Sequence, residues 1–194
     1  MIIMDYYHKK FQSYFDDTVH VDSTPFLDPV VKYLPPGGEV WDVGCGSGRD
    51  LLWLKQRGFK AVGLERSQGL ARLAAAHSGC QVIQGDFNTF DFSLLAVDAI
   101  LLTGALVHVS WEELSPLLTN IITGLKPGGI LFLSLKQGNG IREDKKGRRF
   151  YLWQDAALES IFHQICLKIL NTSKTHSLLA TGETWIAHVL RKKM

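Results

Sequence analysis

Val40-Trp41-Asp42-Val43-Gly44-Cys45-Gly46-Ser47-Gly48-Arg49-Asp50 is the stretch whose reading decides the fold. The apolar residues around Asp42 read as a short buried strand. Glycines follow at every second position, and Leu51, Leu52 and Leu54 then begin a helix-like apolar pattern. A strand running through a glycine loop into a helix is a ligand cradle. Glycine allows positive φ and a close approach of ligand to backbone. A helix start offers unpaired N–H groups to negative charge.

Outward from this stretch, strands and helices alternate. Upstream, Tyr7, Phe11, Tyr14 and Phe15 follow helical spacing and predict one amphipathic helix. A second short helix is expected over Phe26 to Leu34, stopped by Pro35-Pro36-Gly37-Gly38. Downstream, a helix from about Ser47 to Gln56 ends at Gly58, and Ala61 to Leu64 is a strand ending at Glu65. Ser67 caps a helix with Leu70, Leu73 and Ala74 on its inner face. Gln81 to Ile83 and Val97 to Leu102 are strands, and Ser110 and Glu113 form a capping box for a helix striped by Leu114, Leu118 and Ile121. Lys126-Pro127-Gly128-Gly129 is a turn before a strand over Ile130 to Leu135. A polar loop over Lys136 to Arg149 and a helix around Ala157 to Phe162 follow. Cys166 to Leu170 and Thr184 to Leu190 are two closing strands with no helix between them, so they should pair antiparallel. The class is α/β with a doubly wound, mostly parallel sheet.

Composition bounds the function. A chain of 194 residues is expected to be a single domain over 1–194, and a net charge of +2 leaves no tail for a polyelectrolyte partner. Neither a nucleic acid nor an obligatory protein partner is expected. Cys45, Cys80 and Cys166 are odd in number and widely spaced, so neither a metal site nor a disulfide framework is expected. Asp5, His8, Lys9 and Lys10 interrupt any apolar signal region, and no apolar run is long enough for a membrane span. A cytoplasmic protein is the expectation.

A dinucleotide fingerprint wants G-x-G-x-x-G. Here Arg49 occupies the position of the third glycine, and the loop is G-x-G-x-G. The string D-V-G-C-G-S-G over 42–48 resembles motif I of the class I S-adenosylmethionine-dependent methyltransferases, whose cofactor is a nucleoside without a pyrophosphate. The resemblance extends over nearly the whole chain. It implies a Rossmann-like seven-stranded sheet of order 3-2-1-4-5-7-6 with the last strand antiparallel and helices on both faces. The cofactor implied is S-adenosylmethionine, and the activity implied is methyl transfer to a small molecule.

Ligands of open parallel sheets bind beyond the carboxyl ends of the strands, which selects the loops there as the site. Glu65 lies ~20 residues after the glycine loop, where a carboxylate accepts ribose hydroxyls; a surface glutamate capping the next helix is the plainer alternative. Arg66 beside it joins the cofactor candidates. In the resembled family an acidic residue at Asp86 bonds the adenine amino group and its neighbour, here Phe87, offers a backbone N–H. Thr103 and Gly104 leave the fourth strand beneath the cofactor, and Asp42 and Arg49 flank its methionine end, with Gly44, Cys45, Gly46, Ser47 and Gly48 as the cradle. Tyr7, Tyr14 and Thr18 match a Y-x6-Y-x3-T pattern whose segment, here 1–36, forms a helical lid in relatives; Tyr14 is assigned to cofactor and Tyr7 to substrate.

His108, in an A-L-x-H-V pattern after the fourth strand, is a candidate catalytic or substrate residue, and equally a packed loop histidine. Lys136, Arg148 and Tyr151 belong to a loop resembling S-x-K-x-G-x-G-x6-G-R-x-F-x-Y and are substrate candidates. Residues 142–149 hold five basic and two acidic side chains, which suits either a solvated loop or an anionic substrate. Two other functions compete: a nicotinamide-dependent oxidoreductase and a non-catalytic S-adenosylmethionine-binding protein.

Overall fold

The computed structural model describes residues 2–179 and 182–193. Its sheet is laid down by β1 (Glu39–Val43), β2 (Lys60–Glu65), β3 (Gln81–Gln84), β4 (Val97–Thr103), β5 (Leu125–Lys136), β8 (Leu167–His176) and β9 (Thr184–Lys192), in the order β3-β2-β1-β4-β5-β9-β8. β1, β2, β3, β4 and β5 are parallel, while β9 runs antiparallel to both β5 and β8. This is the order implied by the resemblance, with the last strand of the chain inserted next to β5. The two extra labels belong to a short hairpin, β6 (Ile141–Glu143) and β7 (Arg149–Tyr151), inside what reads in sequence as a loop.

Period-two alternation divides the core between the two sheet faces. Trp41, Val43, Ile100, Leu102, Leu131 and Leu133 share one cluster with Leu114 and Leu118 of α6 (Trp111–Ile121) and Leu158 and Phe162 of α7 (Asp155–Gln164). Val40, Leu101, Ile130 and Phe132 share another with Leu27 and Val30 of α3 (Thr24–Val31) and Trp53 and Leu54 of α4 (Arg49–Gln56). Both faces are covered, which is why most of β4 and most of β5 are buried. Among the described residues no helix is long and apolar enough to cross a membrane.

Three local expectations are corrected. The first amphipathic stretch is two helices, α1 (Ile2–Lys9) and α2 (Phe11–Thr18), because Lys10 takes a non-helical backbone and turns the chain. The Pro-Gly-Gly segment is a bulge within β5: Val97 pairs with Leu125 and Ala99 already with Ile130, so residues 126–129 are looped out of register. The helix α5 (Gln68–Ser78) is capped by Ser67 as read, and its Leu70, Ala71 and Ala74 are buried while Leu73 is only half-buried.

Candidate functional site

The carboxyl ends of β1, β2, β4 and β5 converge on the glycine loop. Gly46 and Gly48 both have positive φ, 54° and 75°. A Cβ on Gly48 would lie 2.8 Å from the backbone of Ala74 in α5, and one on Gly46 would lie 3.2 Å from the Tyr14 ring. The loop is therefore glycine-only for two reasons, its handedness and the closeness of α5 and α2. Glu65 at the end of β2 is 8% exposed, and its two carboxylate oxygens accept from the Gly46 N–H at 3.0 Å and the Ser67 N–H at 2.8 Å. Glu65 thus fixes the glycine loop, a role not read from sequence. Burial raises its pKa against the pull of those N–H groups.

Two buried polar atoms at this end of the sheet have no partner, Asp42 Oδ2 and Thr103 Oγ1. Burial, and then the nearby Asp50 carboxylate, hold Asp42 well above the usual carboxylate range. Asp50 itself accepts from Ser23 Oγ at 2.5 Å and from Arg49 Nε at 3.0 Å. These groups line a narrow cavity of about 30 Å³ together with Tyr14 and the glycine loop, room for little more than a water molecule. The slot is small because α1 and α2 pack over it. Tyr14 lies over Gly46, the Phe11 ring fills the notch at Gly69, and Ser67 Oγ donates to the Tyr7 carbonyl at 3.0 Å.

The narrow cavity opens into one of about 760 Å³, and Tyr14, Thr18, Arg49 and Thr103 line both. Tyr7, Phe26, Lys136, Arg148, Phe150 and Trp185 help to wall the larger one. Gly104 N–H donates to Ser134 Oγ at 2.9 Å, fixing the end of β4 against β5. His108 does not line this cavity; Tyr7 stands in front of it, with its hydroxyl 2.9 Å from His108 Nε2. His108 Nδ1 lies 2.5 Å from the Arg149 carbonyl, which can only accept, so Nδ1 carries the proton and Nε2 accepts from Tyr7. Burial pushes the His108 pKa down to about 4, and it is neutral at physiological pH. Burial, and then Tyr14, raise the pKa of the Tyr7 hydroxyl.

Two groups of candidates stand apart. Asp86 closes a turn by accepting from Asn88 N at 2.9 Å and meets Arg66 at 3.5 Å, while Phe87 packs on the core. They stand together after β2 and β3, and neither cavity includes them. In β7 the side chains alternate: Phe150 is buried and lines the large cavity, whereas Tyr151 turns to Trp111, 5.3 Å between ring centres. Residues that sequence reading passed over are Asp50, Arg142, Glu183 and Trp185. Asp50 was legible as an acid in the first turn of α4, but Glu183 and Trp185 reach the site only through the insertion of β9 beside β5.

The fold is that of a doubly wound α/β protein with a cleft at the carboxyl ends of its parallel strands. Residues 40–129 match the model of the methyltransferase-domain family. A carboxy-S-adenosyl-L-methionine synthase of Vibrio vulnificus is 29% identical over 116 residues, covering 54% of this chain and 46% of the relative. The matched stretch thus spans less than half the length of such curated relatives. Among solved structures, the 1,6-didemethyltoxoflavin-N1-methyltransferase of Burkholderia thailandensis, with bound 1,6-didemethyltoxoflavin and S-adenosylhomocysteine, superposes with a TM-score of 0.78 at 18% identity, over 98% of this chain and 85% of its own. The magnesium protoporphyrin IX methyltransferase of Synechocystis PCC 6803, with bound S-adenosylhomocysteine, gives 0.76 at 17% identity over 99% of each chain. Over residues 40–129 the chain thus resembles the methyltransferase-domain family, and its fold is the one these two methyltransferases share.

Proposed function

We propose that this protein transfers a methyl group from S-adenosylmethionine to a small-molecule acceptor. The observation that carries the reading is the pair of unpartnered buried oxygens, Asp42 Oδ2 and Thr103 Oγ1, at the glycine loop. Buried polar atoms require partners, and an alkylammonium group supplies donors to both. A nicotinamide dinucleotide fits poorly, because its pyrophosphate would face Asp42, Asp50 and Glu65.

In this reading Glu65 accepts the ribose hydroxyls, Asp42 and Thr103 take the ammonium end, and Tyr14 closes over Gly46. Bound there, S-adenosylmethionine supplies an electrophilic methyl group on a sulfonium sulfur. The chain's contribution is to hold acceptor and donor in line and to exclude water. Thr103 and Arg49, which line both cavities, mark the junction where the acceptor meets the methyl group. The Tyr7 hydroxyl, oriented by neutral His108, is the nearest polar handle for the acceptor, which makes His108 a positioning residue. Asp86 and Arg66 then border the base, and Asp86 exchanges its Arg66 contact for the adenine amino group.

The lid must lift for the cofactor to reach the loop, and α1–α2 are joined to the body chiefly at Phe11, Tyr7 and Tyr14. Incubation of the purified protein with methyl-labelled S-adenosylmethionine and a metabolite extract tests the proposal. Label is expected in a small, protein-free product. Cofactor binding without transfer to any component would favour a binding protein instead.

A further inference from the structure

The large cavity has a chemistry of its own. Lys136, at the carboxyl end of β5, is only 6% exposed. Its ammonium lies 3.6 Å from the centre of the Phe150 ring and 5.5 Å from that of Trp185. The carboxylate of Glu183, also buried, sits between Lys136 at 2.5 Å and the guanidinium of Arg142. Burial, and then the charges of Arg142 and Arg148, push the Lys136 pKa down, and the Asp144 carboxylate opposes that push.

Around these groups the lining carries six cations, Arg49, Lys136, Arg142, Lys145, Lys146 and Arg148, against three acids, Glu143, Asp144 and Glu183. Asp144 is taken up by Arg148, at 2.7 and 2.8 Å. One carboxylate between two cations leaves a local surplus of positive charge, in a chamber walled by Phe26, Phe150, Trp185 and Tyr7. Glu183 stands at the end of the loop joining β8 to β9, and its carbonyl accepts from Ser177 N–H at 2.8 Å. Its carboxylate occupies an anion position between two cations.

We infer that the acceptor, on the methyl-transfer reading, is an aromatic carboxylate whose carboxyl group exchanges with that of Glu183 between Lys136 and Arg142, its ring lying against Phe150 and Trp185. A guanidinium offers a planar fork that matches a carboxylate. The flat apolar walls favour a ring, and the surplus of positive charge favours an anion.

Full-length protein, with and without saturating S-adenosylhomocysteine, is titrated with benzoate, salicylate, anthranilate and 4-hydroxybenzoate and with their neutral amides, following Trp185 fluorescence and heat. At least one acid should bind about tenfold or more tightly than its amide. Glu183→Gln should tighten that acid a further several-fold by removing the competing charge. Arg142→Gln, at a largely exposed side chain, should weaken it about tenfold; Lys136→Met is less informative, because it strands a buried carboxylate. The inference is overturned if no acid exceeds its amide, if Glu183→Gln leaves acid affinity unchanged, or if inorganic phosphate binds as tightly as the best acid. The heat of S-adenosylhomocysteine binding is read separately. Its absence would undo the cofactor reading alone, and the titrations without it would still decide the anion site.

Discussion

The two halves of the cleft meet at Tyr14, Arg49 and Thr103 yet carry opposite charge. On the glycine-loop side Asp42, Asp50 and Glu65 are buried with Arg49 as the adjoining cation, and Asp42 keeps an unpartnered oxygen. On the other side Lys136, Arg142 and Arg148 outnumber Glu183 and Asp144. Burying carboxylates close together is costly unless a positive group joins them. On the proposed function, the first half takes the cationic ligand and the second the anionic one. A donor carrying a sulfonium and an ammonium and an acceptor carrying a carboxylate would each be drawn to its own side.

The largest expected effect is at Glu65. Glu65→Ala removes the ribose acceptor, and charge-assisted hydrogen bonds contribute about 1.5–3 kcal/mol each. S-Adenosylmethionine affinity should fall roughly ten- to a thousandfold, at about 1.4 kcal/mol per decade. The substitution also strands the Gly46 and Ser67 N–H groups, so the melting temperature should fall as well, while Glu65→Gln, keeping one acceptor, should lie between. Calorimetric titration with melting curves measures both. Parent-like affinity in folded Glu65→Ala would remove the acidic half from the comparison.

Acid acts beneath the basic half. His188 in β9 is fully buried beside Phe162, and burial pushes its pKa down to about 4, below the ~6.5 of an unfolded chain. The unfolded state then binds more protons between those values. Stability is complete above about pH 6.5 and declines as the pH falls toward 4, by up to about 3 kcal/mol. Denaturant melts from pH 4.5 to 7.5 should show this slope, and His188→Phe should reduce it, leaving the part that the likewise lowered His108 contributes.

Asp42 sharpens the acidic half. Burial and the Asp50 carboxylate raise its pKa, so at pH values below that raised pKa a cationic ligand that pairs with the ionised carboxylate displaces a proton. S-Adenosylmethionine affinity should rise with pH, by about tenfold per unit at most, until Asp42 ionises unaided. Titration in buffers of different ionisation heat should detect the released proton, and Asp42→Asn should abolish it. A pH-independent affinity in the parent would mean that the cation does not meet Asp42.

The smallest effect is at the lid. Tyr7→Phe breaks the hydrogen bond to His108, worth about 1 kcal/mol. Amide exchange over residues 6–18 should speed up several-fold, and the cofactor should slow it in the parent.

The acidic half was more legible in sequence than the basic half, for a physical reason. Its groups lie on or beside one strand–loop–helix unit, Asp42 to Asp50, plus Glu65 at the end of the adjacent parallel strand, so local spacing places them. The succession of strands and helices was legible too, because apolar runs and caps alternate regularly from Glu39 to Leu135, whereas the order of the strands in the sheet came from the resemblance of the glycine loop to motif I. The basic half is assembled by tertiary contacts. Trp185 faces Lys136 only because β9 pairs antiparallel with β5, and the 141–151 segment folds into a hairpin whose three-residue strands carry no usable period. His108 read as a site residue, but whether it or Tyr7 fronts the cavity depends on how the lid packs, which spacing does not specify.

Parallel titration of the purified protein with S-adenosylmethionine and with NADH tests the central claim most directly. The acid-lined slot should bind S-adenosylmethionine and reject the dinucleotide. At ~100 times the dissociation constant the bound form gains about 2.7 kcal/mol, a melting shift of about 5–10 °C for a domain of this size. Tight binding of NADH, with no heat and no shift from millimolar S-adenosylmethionine, would contradict the account.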